Sequence, residues 1–283
     1  MERRAEPGRH ALCRTAPSTV ATARRAAPVI RPTERFSSRV ENYIRYRPGY
    51  PQAAIALLAA RCGLSAAAVV ADIGSGTGIL TGELLATGAR VIGVEPNDAM
   101  RAAAEAQLGK EERFRSVAGT AEATTLPANT IDLWVAGQAF HWFDVRKARV
   151  EALRVVRAGG FGALLWNERP REASAFLADY EALLERYAPE YAAITASRAD
   201  EASMRSFLGV AMELATFPNQ QVFDFEGVKG RLMSSSYAPE PADRGYAPLL
   251  EGLEAVFRSH QRDGRIVFPY QTLVYYAQLK PPR

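Results

Sequence analysis

The stretch from Asp72 to Gly78 has the residue types and spacing of a ligand-binding turn. It reads Asp-Ile-Gly-Ser-Gly-Thr-Gly, so an acidic residue precedes three glycines at alternate positions, Gly74, Gly76 and Gly78. Glycine carries no side chain and tolerates positive φ, so such a turn lets the backbone approach a ligand closely. The pattern therefore predicts that the backbone of this turn meets a ligand.

Two common glycine-rich phosphate motifs do not match this turn. A P-loop places a lysine and then a serine or threonine after its last glycine, and the stretch from Asp72 to Leu85 contains no lysine. A dinucleotide fingerprint requires a small third residue in Gly-x-Gly-x-x-Gly/Ala, but Ile79 occupies that position. The ligand is therefore expected to belong to another class.

The elements around the turn alternate between strand and helix patterns. An apolar run enters the turn, and helical spacing follows it as far as Gly88. Further strands are predicted at 90–95, 113–119, 131–140 and 161–168, and further helices at 52–63, 96–109 and 144–160. This alternation predicts an α/β fold with a doubly wound, mainly parallel, Rossmann-like sheet. Ligands of such sheets bind at the carboxyl ends of the strands.

The pattern changes after the last of these strands. Segments 173–187 and 200–209 have helical spacing, which predicts a helical insertion. Segments 219–235 and 264–279 are rich in aromatic and β-branched residues, so they are expected to pair as late antiparallel strands.

The charge of the chain is unevenly distributed. The formal net charge is +4, but residues 1–50 contain 11 Arg and 4 Glu, and the remainder contains 24 basic and 27 acidic residues. The folded body gives no electrostatic reason to bind nucleic acid. The first 33 residues are rich in arginine and alanine, and we interpret them as a disordered, dispensable basic arm.

The apolar residues and the histidines argue against a membrane protein and a metal site. The longest apolar stretch, from Gln52 to Val70, is interrupted by Arg61, so no membrane span is expected. Two cysteines without a motif suit a reducing cytoplasm, where we place the protein. Three scattered histidines argue against a metal site.

The stretch from Ala71 to Gly78 resembles the first motif of the class I S-adenosylmethionine-dependent methyltransferases. The resemblance implies that the amino-acid end of S-adenosylmethionine is held by Asp72, Gly74, Ser75, Gly76 and Gly78. Glu95 ends the second strand, 21 residues after Gly74, where a carboxylate can accept both ribose hydroxyls. The similarity is good over about residues 34–170 and patchy beyond. It is greatest to the branch near trans-aconitate methyltransferases.

The same resemblance implies further cofactor contacts. Thr120 stands where the family usually has an aspartate for the adenine amino group, and its hydroxyl accepts a weaker hydrogen bond. The remaining cofactor residues that the resemblance implies are Pro96, Met100, Ala121, Glu122 and Gln138.

The residues that follow the fourth strand are candidates for the acceptor site. His141 is placed to take a proton from a hydroxyl or ammonium acceptor, and the alternative is a histidine that only packs at the strand end. The predicted substrate-pocket residues, each with core packing as its alternative, are Tyr46, Phe140, Trp142 and Trp166. Arg45, Arg47 and Arg231 are either partners for an acidic substrate or ordinary surface charges.

The sequence thus predicts one methyltransferase domain over residues 34–283, with a core at 50–170, a helical cap at about 171–215 and C-terminal strands at about 216–279. The expected activity is methyl transfer from S-adenosylmethionine to a small molecule, with a carboxylic acid as one candidate. The alternatives are a nucleic-acid or protein methyltransferase, and a non-catalytic S-adenosylmethionine-binding protein. No nucleic acid, membrane or metal partner is expected, and the oligomeric state stays open.

Overall fold

One seven-stranded sheet organises the part of the chain that the computed structural model describes, residues 39–192 and 200–282. The basic arm at 1–33 lies outside these residues. The strands are β1 (Val69–Ile73), β2 (Arg90–Val94), β3 (Phe114–Val117), β4 (Ile131–Gly137), β5 (Val156–Glu168), β6 (Glu213–Phe223) and β7 (Ile266–Gln278). Their order in the sheet is β3-β2-β1-β4-β5-β7-β6.

Strands β1 to β5 pair in parallel, whereas β7 runs antiparallel to both of its neighbours, β5 and β6. This confirms the predicted doubly wound, mainly parallel sheet with late antiparallel strands. The chain leaves β1 towards β2 and β3 on one side and returns to β4 on the other. The strand order therefore reverses between β1 and β4, and ligands bind at such a switch point in open α/β sheets.

Helices connect and cover the strands. They are α1 (Val40–Tyr46), α2 (Gln52–Arg61), α3 (Ile79–Leu85), α4 (Asp98–Leu108), α5 (Val145–Val155), α6 (Ala175–Tyr187), α7 (Glu201–Leu208), α8 (Phe225–Met233) and α9 (Tyr246–His260). Short 3-10 turns occupy Phe140–Trp142 and Arg171–Ala173. Several helices begin at a side-chain cap. For example, the Asn97 and Asp144 side chains accept hydrogen bonds from Met100 N and Lys147 N.

Both faces of the sheet are buried at the central parallel strands β1 and β4, whereas alternate residues of the edge strand β6 are exposed. Alternate residues of a strand face opposite sides: Trp134 of β4 packs in one apolar cluster and Leu133 in another. Helices α5 and α7 cover the first face, and α2 and α3 cover the second. A third cluster joins α6, α8 and α9 to Phe268 of β7. Because α6 and α7 lie between β5 and β6 in the chain, the predicted helical insertion is also confirmed.

Segments distant in sequence meet at Gly49, in the turn before α2. The amide nitrogens of Asn167 and Asn219 both donate hydrogen bonds to the Gly49 carbonyl oxygen, at 3.1 and 2.9 Å. The residues before β1 are thereby attached to β5 and β6, which come much later in the chain.

Two segment predictions are wrong in part. The strand predicted at 219–235 ends at Phe223, because the Asp224 side chain accepts a hydrogen bond from Gly227 N and starts α8. The helix predicted at 144–160 ends at Val155. The glycine pair lies inside β5, where Gly159 has φ of +81° and the register with β4 shifts.

Candidate active site

The glycine turn after β1 has the conformation that its sequence requires. Gly74, Gly76 and Gly78 have φ values of +67°, +56° and +86°, which are unfavourable for other residues. The turn is attached to the end of β2, because Gly74 N donates to the Val94 carbonyl oxygen at 2.8 Å. A Cβ atom on Gly74 would lie 2.6 Å from the Ala139 side chain. The turn therefore fits closely against the segment that follows β4.

The other two glycines have different surroundings. A Cβ atom on Gly76 would have nothing within 4 Å, so this residue faces open space. A Cβ atom on Gly78 would lie 2.7 Å from Leu108 Cδ1 of α4. Gly78 also precedes α3 as its N-cap residue. Its role in the structure is to allow α3 and α4 to pack together, and it does not line either of the pockets described next.

Two adjoining pockets lie at the carboxyl edge of β1, β2 and β4. The larger, called the cleft, has a volume of about 250 Å³. It is lined by Tyr43, Gly74, Gly76, Glu95, Pro96, Asn97, Met100, Thr120, Ala121, Glu122, Gly137, Gln138, Ala139, Trp142 and Phe143. The smaller, called the side pocket, has a volume of about 40 Å³. It shares five of these residues and adds Arg47, Pro48, Tyr50, Asp72, Ser75, Thr77, Ile79 and Leu80.

Asp72 supplies a buried carboxyl group to the side pocket. It is 1% exposed, and its Oδ2 accepts a hydrogen bond of 2.6 Å from the Thr81 hydroxyl. Burial raises the pKa of Asp72 to about 7, and the nearby Glu95 carboxylate adds to the rise, whereas the Thr81 hydrogen bond opposes it. A cation entering this pocket would therefore draw Asp72 into its ionised form.

Glu95 follows β2 and supplies a second carboxyl group. Its Oε2 accepts a hydrogen bond from Gly76 N at 2.9 Å, and its Oε1 accepts one from Asn97 N at 2.8 Å. Burial raises the pKa of Glu95, although these backbone bonds and Arg101 oppose the rise. A carboxylate has about four lone-pair positions, so Glu95 can still accept hydrogen bonds from two ligand hydroxyls.

Two polar atoms of the side pocket have no hydrogen-bond partner within the described part of the chain. They are the buried Thr77 hydroxyl and the buried Arg47 Nε. Both can donate a hydrogen bond, and buried donors without a partner are uncommon. A pocket with free donors and with the Asp72 carboxyl suits a ligand that carries both a carboxylate and an ammonium group. The amino-acid end of S-adenosylmethionine is such a ligand.

The far end of the cleft is mainly apolar. Met100 and Ala121 are almost fully buried and stand beside Pro96. Thr120 and Glu122 complete this end, and Glu122 Oε1 accepts a hydrogen bond from Asp144 N at 2.8 Å. An apolar slot with a few polar groups at its rim suits a planar base such as adenine.

Gln138 follows β4 in an unusual conformation. Its φ is +57°, which is uncommon for a residue other than glycine. Two hydrogen bonds hold it: Gln138 N donates to the Leu165 carbonyl oxygen at 2.9 Å, and Nε2 donates to the Asn167 carbonyl oxygen at 3.1 Å. Strained residues of this kind cluster at functional sites, and Gln138 lines both pockets.

The structure brings most of the predicted cofactor residues together. Gly78 is the one that lies outside both linings. Of the predicted substrate residues, Trp142 lines the cleft. Phe140 and Trp166 are buried in the core, where their rings pack at a centroid distance of 6.2 Å. Phe140 follows the end of β4 and Trp166 lies in the central strand β5, and both side chains point into the apolar core.

Two other predicted side chains also lie away from the pocket walls. Tyr46 packs against Phe223, with ring centroids 6.3 Å apart, and against Gly230, where a side chain would have no room. His141 lies in the 3-10 turn after β4, with its ring 4.6 Å from that of Trp142. It is absent from both linings.

Several wall residues were not predicted from the sequence. They are Asn97, Gly137 and Phe143, which line the cleft. Tyr43, which lines both pockets, was one of the tyrosines that the sequence offers as aromatic lining, with core packing as the alternative. Asn97 carries a recognisable signal, because an asparagine before a helical pattern is a common N-cap. Tyr43 and Tyr46 lie three residues apart in a single short helix, so the spacing alone did not indicate which of them faces the ligand.

Within residues 39–192 and 200–282, no group of three or more histidine, cysteine or acidic residues is arranged to hold a metal ion. No helix in the same residues is long and apolar enough to cross a membrane.

Comparison with known proteins agrees with this geometry. Residues 71–164 match a family model described as a methyltransferase domain. An uncharacterized methyltransferase of Mycobacterium tuberculosis is 40% identical over 134 residues, which is 47% of this chain and 52% of that protein. The chain thus spans about half the length of this relative. An uncharacterized methyltransferase-like protein of Schizosaccharomyces pombe is 24% identical over 260 residues, which is 88% of this chain and 96% of that protein.

A solved structure shares the fold. It is that of a candidate type II methyltransferase from Anaeromyxobacter dehalogenans, with a TM-score of 0.56 and 21% identity, covering 83% of this chain and 99% of the other. The family match at 71–164 contains the glycine turn, Glu95 and every cleft residue except Tyr43.

Proposed function

We propose that this chain is a class I S-adenosylmethionine-dependent methyltransferase and that it methylates a small-molecule acceptor; the match of residues 71–164 to a methyltransferase domain supports the first part. The observation that carries the proposal is the placement of Asp72 and Glu95 around the glycine turn, in two adjoining pockets. When bound, S-adenosylmethionine supplies an electrophilic methyl group: the acceptor's electron pair forms the new bond to carbon, the carbon–sulfur bond breaks, and its electron pair stays on sulfur in S-adenosylhomocysteine.

Three parts of the wall would hold three parts of the cofactor. Asp72 faces the ammonium group, and Thr77 donates to the carboxylate. Glu95 accepts hydrogen bonds from the ribose hydroxyls. The apolar end beside Met100 and Thr120 takes the adenine. Gln138 and Tyr43 line both pockets and would border the part of the site between these groups.

The charges around the cleft favour a small acceptor over a nucleic acid. The lining of the cleft contains no lysine or arginine, and the chain beyond residue 50 has more acidic than basic residues. Sulfonium is already a good leaving group, so the protein accelerates the reaction mainly by positioning the acceptor and excluding water.

We further propose a carboxylic acid as the acceptor, in line with the trans-aconitate methyltransferase branch that the sequence resembles. A carboxylate is ionised at neutral pH, so its methylation requires no general base. This agrees with a cleft whose lining does not include His141.

Calorimetric titration tests the cofactor part of this proposal. S-adenosylmethionine and S-adenosylhomocysteine are titrated into the wild type, Asp72→Ala and Asp243→Asn, with NADH as the control ligand. Asp243 is exposed and lines neither pocket, so Asp243→Asn controls for the loss of a carboxylate. We expect both sulfur ligands to bind the wild type and Asp243→Asn, and binding to weaken strongly in Asp72→Ala. Preference for NADH, or binding unaffected by Asp72→Ala, would refute the assignment.

Turnover is the second measurement. Release of S-adenosylhomocysteine is followed with a panel of mono-, di- and tricarboxylic acids, together with matching amines and alcohols. Turnover restricted to acids supports the proposed acceptor class. Turnover with amines or alcohols alone contradicts it without affecting the cofactor assignment.

A further inference from the structure

Arg47 lines the side pocket, and neither Arg47 nor the nearby Arg231 has an acidic partner within the described part of the chain. Arg47 donates one hydrogen bond, from Nη2 to the Ser234 carbonyl oxygen at 2.8 Å. Arg231 donates two, from Nε to the Tyr270 hydroxyl at 3.0 Å and from Nη1 to the Ser235 hydroxyl at 3.2 Å. All three acceptors are neutral oxygens, and the guanidinium groups also lie over aromatic rings, Arg47 over Tyr43 and Arg231 over Phe268 and Tyr270. Neither group is therefore paired with a carboxylate.

Another buried arginine, Arg169, is paired with a carboxylate. Arg169 Nε lies 3.0 Å from Glu181 Oε1, and both side chains are less than 10% exposed. The Tyr237 hydroxyl also accepts hydrogen bonds from Arg169, at 3.2 Å. Buried charges are normally paired in this way. Arg231, at 3% exposure, and the buried Arg47 Nε depart from that rule.

The two unpaired arginines lie close to each other. Both bond to adjacent residues at the end of α8, Ser234 and Ser235. Burial, and then the positive charge of Arg231, lower the pKa of Arg47 to about 10. Two like charges in a buried region repel each other, and an anion between them would remove most of that cost.

We propose that Arg47 and Arg231 form a receptor for a carboxylate group of a molecule bound in the active site, which rests on the proposed methyl transfer. Guanidinium groups bind carboxylates through parallel hydrogen bonds, and their planar fork matches the carboxylate geometry. Arg47 lines the side pocket with Gly137 and Gln138, which also line the cleft. The Arg47 side of the receptor therefore borders the place where the two pockets meet, and Arg231 lies outside both linings.

Two carboxylates could fill this receptor: that of the cofactor's amino-acid end and that of an acidic acceptor. The receptor also constrains the acceptor's chemistry. Hydrogen bonds from two guanidinium groups withdraw electron density from a carboxylate and weaken it as a nucleophile. An acceptor held here is therefore anchored by one acidic group and methylated on another atom.

The test uses the full chain and four proteins: the wild type, Arg47→Gln, Arg231→Lys and the matched control Arg45→Gln. Arg45 is exposed and lies two residues from Arg47 but lines neither pocket. Arg231→Lys keeps the buried charge and loses the fork, and thermal melts check that each variant folds. The first ligand pair is S-adenosylhomocysteine and 5′-methylthioadenosine, which lacks the amino-acid end. The second pair is succinate and citrate, with succinamide as the uncharged control, titrated with and without saturating S-adenosylhomocysteine.

We expect Arg47→Gln to lower affinity for one carboxylate source by about 10- to 100-fold, as for a lost hydrogen bond to a charged group. Loss for S-adenosylhomocysteine but not for 5′-methylthioadenosine assigns the receptor to the cofactor. Loss for the acids but not for S-adenosylhomocysteine assigns it to the acceptor. If Arg47→Gln and Arg231→Lys behave as Arg45→Gln does with every ligand, the receptor is refuted. If the wild type binds neither nucleoside ligand, the proposed function fails instead, and the acid titrations still test the receptor.

Discussion

Cofactor binding should be linked to the ionisation of Asp72. Burial raises the pKa of this carboxyl group to about 7, so about half of the free protein carries a neutral Asp72 at pH 7. The ammonium group of the cofactor favours the carboxylate and lowers that pKa on binding. Binding must then release a proton from each molecule in which Asp72 was neutral, and the affinity must increase with pH.

The size of this effect follows from the pKa. The ionised fraction of Asp72 is about 0.1 at pH 6 and about 0.9 at pH 8, so the affinity should rise about tenfold, or about 1.4 kcal/mol, across this range. Above pH 8 no further gain from this group is expected. Asp72→Asn keeps the shape of the side chain but removes the titration, so its weaker binding should vary less with pH.

Stability should change in the opposite direction. The folded-state pKa of Asp72 lies above its ordinary value of 3.8, so the folded protein holds the proton more tightly and gains stability as pH falls below about 7. Above pH 7 the buried charge costs about 4 kcal/mol relative to the neutral form. We therefore expect Asp72→Asn to melt at a higher temperature than the wild type at pH 8, without ligand, while it binds the cofactor less well.

Calorimetry in two buffers with different ionisation enthalpies, at pH 6, 7 and 8, measures both affinity and proton release. Differential scanning calorimetry without ligand measures the stability change. A constant affinity from pH 6 to pH 8 with no proton release would refute the reasoning about Asp72. A lower melting temperature of Asp72→Asn at pH 8 would refute the claim that its charge is costly.

Three further predictions concern other parts of the site and its support. Glu95→Gln should weaken cofactor binding at least tenfold in calorimetry. The single amide oxygen cannot accept hydrogen bonds from Gly76 N and from both ribose hydroxyls. Unchanged affinity would contradict the proposed contact with the ribose. Gly78→Ala and Gly76→Ala should both lower the free energy of unfolding in urea melts, because both glycines have positive φ. The loss should be larger for Gly78→Ala, about 1–3 kcal/mol, because its Cβ also meets Leu108. Only Gly76→Ala should also weaken cofactor binding, and equal effects of the two variants on binding would contradict the assigned roles. The Arg154 hydrogen bonds lower the pKa of Glu151 to about 2, so its stabilisation is present above about pH 4.5 and disappears as pH falls towards 2. When the free energy of unfolding is measured against pH, Glu151→Gln should lack this loss of stability between about pH 4.5 and 2. A pH profile equal to that of the wild type would contradict the role of Glu151.

Local patterns were sufficient to predict the sheet and most of the residues that line the two pockets around the glycine turn. Glycines at positive φ, Asp72 at the end of β1 and Glu95 after β2 are fixed by the turn and by the strand spacing. A buried parallel strand is a short apolar run, and its carboxyl end marks the edge where ligands bind. These signals depend only on neighbours in the sequence.

The acceptor side depends on contacts between distant segments, which local patterns do not contain. The choice between Tyr43 and Tyr46 is decided by the packing of α8, where Gly230 leaves room for the Tyr46 ring. The sequence predicts a strand where helix α8 lies, because the aromatic and β-branched residues of this segment also suit a strand. The Asp224 side chain decides for the helix by capping its N-terminus. The sequence predicts Phe140 and Trp166 as pocket residues, because an aromatic side chain near a strand end can point either into the pocket or into the core. In the structure both side chains are buried in the core.

The attachment of Gly49 to Asn167 and Asn219 has a consequence for how the site is assembled during folding. The segment that contributes Tyr43 and Arg47 to the pocket walls is held by partners that are 118 and 170 residues later in the chain. Contacts with such large sequence separation form slowly, because a long loop must close before they stabilise anything. The sheet edge with the glycine turn can therefore form first, and the wall around it closes after β5 and β6 have paired. A destabilised β6 should leave a protein with a folded parallel sheet but an open, weakly binding site.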